Sequence, residues 1–133
     1  MKKARRKQVP PSPRAAELSR AALELDLPAE IAALNSVAAL ESSGRIAKTL
    51  VKHPDFRIIL TVMKAGACVQ EHTAAGRISI QALSGNLRLH LPTETVELPA
   101  GRLLALDRDV PHDVQALTDG AFLVSIAWPR AAA

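Results

Sequence analysis

Residues 66–85, GACVQEHTAAGRISIQALSG, decide how this chain is read. Gly66 and Gly85 bracket the stretch, and His72, Ala74 and Ile78 stand between them. Successive side chains of an extended chain point to opposite faces, so in a strand these three would share one side. A second stretch, residues 99–117, PAGRLLALDRDVPHDVQAL, sets Gly101 ahead of Asp107, Asp109 and His112. Each of the two stretches thus holds one histidine, His72 in the first and His112 in the second.

The surrounding sequence supports β structure. FRIILTVMKAG, GRISIQALSG, NLRLHLPTETVELPAG, RLLALD and AFLVSIAWP are short β-branched or leucine-rich runs separated by Gly, Pro, Asn and Asp. Turn signals about every 8 to 12 residues predict an antiparallel sandwich or barrel. No crossover helices separate the runs, which excludes a parallel α/β sheet. Ahead of them, AAELSRAALELDLPAEIAALNSVAALES reads as one or two helices. Leu18, Ala21, Ala22 and Leu25 would share one helical face, and Pro28 would open a second helix with Ile31, Leu34 and Ala38 as its buried stripe. Ser42, Ser43 and Gly44 would end it, since glycine takes the left-handed conformation that terminates helices.

The 133 residues fit one compact domain. The division expected is a basic disordered tail over 1–14, a helical extension over 15–44 and a β-barrel over 45–130. Lys2, Lys3, Arg5, Arg6, Lys7 and Arg14 supply six positive charges of a formal net +4, so the remainder of the chain carries −2. The basic character belongs to the tail, which could make weak, non-specific contact with nucleic acid by charge alone. With Phe56, Phe122 and Trp128 as the only aromatics, the core must be aliphatic and no stacking platform for single-stranded nucleic acid is available. No apolar run reaches the roughly 20 residues of a membrane span. Met1 to Arg14 has no secretory hydrophobic segment, and the single cysteine, Cys68, cannot form an internal disulfide. The expectation is a soluble, cytoplasmic protein without a membrane partner.

The spacing from Gly66 to Gly85 resembles the first motif of the cupins, and that from Gly101 to His112 resembles the second. The likeness extends from about Leu25 to Pro129 and is to the small, single-domain bacterial members of the RmlC-like cupin superfamily. It implies an all-β double-stranded β-helix, or jelly-roll, barrel with a short N-terminal helical extension and a site at the barrel mouth. The family pattern has a second histidine where this chain has Ala74 and a glutamate where it has Ile78. In the second motif it has proline at Asp107, glycine at Asp109 and asparagine at Ala116. The metal-binding motif is therefore degenerate, with His72 and His112 retained and the carboxylate absent.

That loss matters because catalytic zinc normally keeps three protein ligands, and the iron facial triad uses two histidines and one carboxylate. Asp107, Asp109, Asp113, Glu71 and Cys68 lie close enough in sequence to be considered as replacements. Cys68, four residues before His72, has matching strand parity; Glu71 has the wrong one. His90, among Leu87, Leu89 and Leu91, should face solvent with Arg88, and His53 reads as a turn residue.

Three readings follow. In the first, the cavity binds a small molecule, with His72 and His112 as polar anchors and Ala74 and Ile78 on its wall. In the second, His72 and His112 hold one divalent ion (Fe, Zn, Mn or Ni) in a mononuclear dioxygenase- or isomerase-type enzyme, with a metal-free acid–base enzyme as its variant. In the third, the barrel is structural and the two rings bond to each other and to trapped water. Resemblance to small cupins also implies a homodimer, with the alanine-rich segment as its contact.

Overall fold

A computed structural model describes residues 17–129, so the expectations for the basic tail over 1–14 fall outside the described residues. From residue 27 onward the described residues form two helices and then nine strands: α1 (Leu27–Asn35), α2 (Ala38–Ser43), β1 (Arg45–His53), β2 (Phe56–Met63), β3 (Cys68–His72), β4 (Arg77–Ser84), β5 (Asn86–His90), β6 (Thr95–Pro99), β7 (Leu103–Leu106), β8 (His112–Ala116) and β9 (Gly120–Ala127). The strands form two antiparallel sheets, one in the order β1-β2-β9-β4-β7 and the other in the order β3-β8-β5-β6. Two antiparallel sheets packed face to face, with strands passing from one to the other, make an all-β jelly roll, which is an antiparallel sandwich as the alternating runs predict and the barrel that the cupin resemblance implies.

Burial patterns follow the sequence. In β4, Ile78, Ile80 and Ala82 are buried while the residues between them are not, and in β5 Leu87 and Leu89 are buried between Asn86, Arg88 and His90. These residues join Met63, Leu98, Val114, Ala116 and Phe122 in the core between the sheets. The near-continuous apolar run of β2 has a different cause. Met63 belongs to that core, but Leu60 and Val62 point the other way and pack with Leu34, Leu40, Leu50 and Ala121 in a second core beneath the helices. A strand covered on both faces loses the alternation of a half-exposed one.

The helical segment departs from the expected pattern. Residues 21–26 are not helical, so Leu18, Ala21, Ala22 and Leu25 do not share a helical face. Asp26 is held extended as the N-cap of α1, accepting the Ala29 amide, and Leu25 and Leu27 pack on the second core instead. Pro28 opens α1 as expected, but the helix ends at Asn35 and restarts at Ala38. Gly44 then ends α2 in the left-handed region at φ 81°. An ion pair from Lys48 on β1 to Glu30 ties α1 to the sheet. None of the described helices is long and apolar enough to cross a membrane.

Candidate functional site

The two histidines meet because strand register puts them opposite each other. In the β3–β8 pair, His72 stands across from His112 and Val69 across from Val114. Three residues on β3 thus span what two span on β8, so a β-bulge lies at Gln70–Glu71. The bulge resets the alternation: Val69 and His72 both face the cavity, whereas Cys68 is exposed and lines no part of it. The shared parity expected for Cys68 and His72 is therefore wrong, and the extra residue is the reason. Glu71 is also exposed, as its parity suggested.

The ring centroids of His72 and His112 are 4.4 Å apart and their planes are inclined at 57°. His112 is 2% exposed, while His72 is exposed at the rim. Each Nδ1 lies 2.9 Å from the carbonyl oxygen two residues earlier, Gln70 for His72 and Val110 for His112. A carbonyl can only accept, so Nδ1 of each ring is the donor, and in the neutral imidazole Nε2 is left with a lone pair. The bulge has a direct part in this, because Gln70 has no partner in the β3–β8 register and its carbonyl is turned to the ring. Two such neutral rings cannot hydrogen-bond to each other through Nε2, since both nitrogens accept.

Both rings border a cavity of about 430 Å³ that opens at this end of the barrel. Ala74 and Ile78 are on its wall, as their spacing predicts, and Ile78 is 6% exposed. Most of the remaining lining is aliphatic, with Val69, Ile80 and Val114 among it. Several lining residues were not legible as site residues, among them Thr61, buried on β2, and Phe122 and Trp128 from the last segment. Their strands are apolar runs like any other, and only the pairing of β2 with β9 puts Thr61 beside Phe122. Trp128 also stacks against Arg57, whose guanidinium carbon is 5.2 Å from the ring centroid.

Asp113 and Asp107 are engaged elsewhere, and Glu71 and Asp109 are exposed. Asp113 accepts from the His90 backbone amide at 2.8 Å and lies 2.9 Å from its ring Nδ1, on the opposite face of β8 from His112. His90 is half exposed, in keeping with its strand parity, and His53 ends β1 beside the Pro54–Asp55 turn. Asp107 accepts from the Arg108 amide at 2.7 Å and from Arg77 at 3.0 Å. The Arg108 amide first, and then the Arg77 charge, hold its carboxyl below the usual carboxylate range. This pairing is complete above the ordinary aspartate pKa and is lost as pH falls through the lowered one. Among the described residues, no group of three or more His, Cys, Asp or Glu side chains is placed to hold a metal ion. Two imidazoles facing an isoleucine do not fit a three-ligand mononuclear centre.

Asp109 stands where the cupin pattern has a glycine, and its backbone is in the left-handed region, with φ 61°. Its amide donates to the Ala74 carbonyl at 2.9 Å, joining the two loops at the cavity mouth. Asp109→Gly should relieve the left-handed strain and raise stability by about 0.5 to 1 kcal/mol. Urea unfolding checks this, and a loss of stability would show that the aspartate side chain contributes more than its backbone costs.

No family model matches the chain, and no curated protein matches it. Solved structures do. An RmlC-like cupin from Desulfovibrio desulfuricans is similar at 24% identity and TM-score 0.61, over 69% of this chain and 90% of that one. A cupin superfamily protein from Desulfitobacterium hafniense is similar at 15% identity and TM-score 0.62, over 64% and 78%. A salicylate 1,2-dioxygenase from Pseudoaminobacter salicylatoxidans, solved as adducts with gentisate, is similar at 19% identity and TM-score 0.69, over 77% of this chain but 32% of its own length. Sheet order, the facing histidines and these likenesses agree, and the chain has the RmlC-like cupin fold.

Proposed function

We propose that this protein binds a small, largely apolar molecule in the barrel cavity, with His72 and His112 as the polar anchors and Ala74 and Ile78 shaping the wall. The observation that carries this reading is the pair of rings held at 4.4 Å on an otherwise mostly aliphatic lining. A concave apolar site with a few convergent polar groups is the usual make-up of a small-molecule pocket. Ala74 and Ile78, where the cupin pattern has a histidine and a glutamate, favour burial of an apolar body over that of a dication.

A thermal-shift screen of small acids, alcohols and aromatic compounds on untagged protein tests the reading. A ligand at one hundred times its Kd stabilises the folded state by about 2.7 kcal/mol, enough to move the melting temperature by several degrees. The shift should disappear in the double variant His72→Ala, His112→Ala.

The second reading, a mononuclear metal-dependent enzyme, draws on one observation. Both rings donate Nδ1–H to a carbonyl and leave Nε2 free, as metal-ligating histidines commonly do before they bind. Elemental analysis separates the two readings: a stoichiometric first-row metal that is lost in the double variant would replace ligand binding by metal chemistry.

A further inference from the structure

Resting on the ligand-binding reading, the hydrogen-bond polarity of the anchors restricts which molecules the cavity can take. Both His72 Nδ1 and His112 Nδ1 are committed to main-chain carbonyls at 2.9 Å. Nε2 lies across each ring from Nδ1, and the two rings face the same cavity. In the neutral state the site therefore offers two acceptors side by side and no imidazole N–H. The surroundings do little to offset this. Ile78, Val114 and Ile80 have no side-chain polar group, and Cys68, Glu71, Asp107 and Asp113 are exposed or engaged elsewhere. Thr61, Thr73 and Trp128 also line the cavity and can donate, but their side chains are not hydrogen-bonded to either ring, so the Nε2 lone pairs are left for a ligand.

A buried acceptor left without a donor costs about 1 to 3 kcal/mol. His112, at 2% exposure, is the ring that a ligand filling the cavity cuts off from water, so the cost falls there on binding, whereas His72 at the rim can turn to water. A ligand that brings a hydroxyl replaces the displaced water and satisfies that lone pair on entry. A ligand with only ether or carboxylate oxygens puts acceptor against acceptor.

We infer that the cavity selects uncharged, apolar molecules carrying a hydroxyl donor, of the phenol or alicyclic alcohol class, and discriminates against isosteres whose oxygen can only accept. The discrimination has a known physical precedent: a site built to pair with a substrate hydroxyl leaves its own polar group unsatisfied when the analogue lacks that donor.

Two measurements at pH 8, above the ordinary imidazole range, test the inference. The first is long-range ¹⁵N–¹H correlation spectroscopy of histidine-labelled protein, in which both rings should be protonated on Nδ1. A proton on Nε2 of His112 would overturn the inference while leaving the cavity free to bind other small molecules. The second is calorimetric titration with phenol, anisole, cyclohexanol and benzoate. Phenol and cyclohexanol should bind at least about tenfold more tightly than anisole and benzoate, the factor that 1.4 kcal/mol supplies. Equal affinity for phenol and anisole would overturn the donor rule alone. If none of the four binds, both the donor rule and the ligand-binding reading fail.

Discussion

Gly85→Ala should lower the stability of this protein by about 2 to 5 kcal/mol, a large share of the 5 to 15 kcal/mol typical of a folded domain. Gly85 is the single residue between β4, in the five-stranded sheet, and β5, in the four-stranded one, so the chain changes sheets here. The change needs a left-handed backbone, φ 76°, which costs a residue with a Cβ about 1 to 2 kcal/mol. It also needs room. A Cβ at this position would lie 2.4 Å from the Asp119 carbonyl oxygen and 2.9 Å from Gly120 Cα, both of them backbone. Relief requires the β8–β9 turn to move, against the bonds from the Asn86 amide to Thr118 Oγ1 and from the Leu117 amide to the Asn86 carbonyl. Overpacking of that kind adds about 1 to 3 kcal/mol.

Gly101→Ala is the control. Its φ is 92°, but nothing lies within 4 Å of the added Cβ, so only the backbone cost applies. Urea unfolding of the two variants should show a midpoint shift for Gly85→Ala at least about twice that for Gly101→Ala, with slopes like the parent's. Equal shifts would mean that the close approach to Asp119 and Gly120 yields cheaply and that backbone strain alone sets the cost.

These two glycines show how the sequence could be read at a distance. Both stand at family positions and both adopt positive φ, so spacing found the turns without any knowledge of what surrounds them. The same holds for His72 and His112, whose spacing from Gly66 and Gly101 anticipated that they would face one another. Parity alone was less dependable. It placed Ile78, Leu87, Leu89 and His90 correctly because β4 and β5 run without interruption on their inward faces, but it failed for Cys68 because one inserted residue at Gln70–Glu71 reverses every face beyond it. No local signal in CVQEH announces that insertion; it follows from pairing with β8, more than 40 residues away. The helical segment failed for a related reason. Leu18 to Leu25 has a good helical period, but Leu25 is drawn onto the core under β1 and β2, and packing outweighs propensity in a segment this short. The cavity itself was the least legible feature, since Thr61 and Trp128 enter it through the β2–β9 pairing and the end of the chain's last strand.

Restoring the two residues that the cupin pattern has should convert this cavity into a metal site. Ala74 and Ile78 line the same cavity as His72 and His112, so Ala74→His with Ile78→Glu brings three imidazoles and one carboxylate to a common space. Both native rings are already in the tautomer that leaves Nε2 free to ligate. Without metal, the glutamate replaces a side chain that is 6% exposed, losing about 1.5 to 3 kcal/mol of apolar burial and adding the cost of a buried carboxyl, which would be driven toward its neutral form. The metal-free double variant should therefore melt well below the parent. Zinc at a thousand times its Kd would return about 4 kcal/mol, whereas the parent at the same concentration should gain far less. Elemental analysis after dialysis should find close to one ion per chain in the variant. A variant that folds as the parent does yet neither gains stability with zinc nor retains it would mean that positions 74 and 78 do not converge with the histidines, and the reading of Ala74 and Ile78 as standing at two ligand positions of the cupin pattern would fail with it.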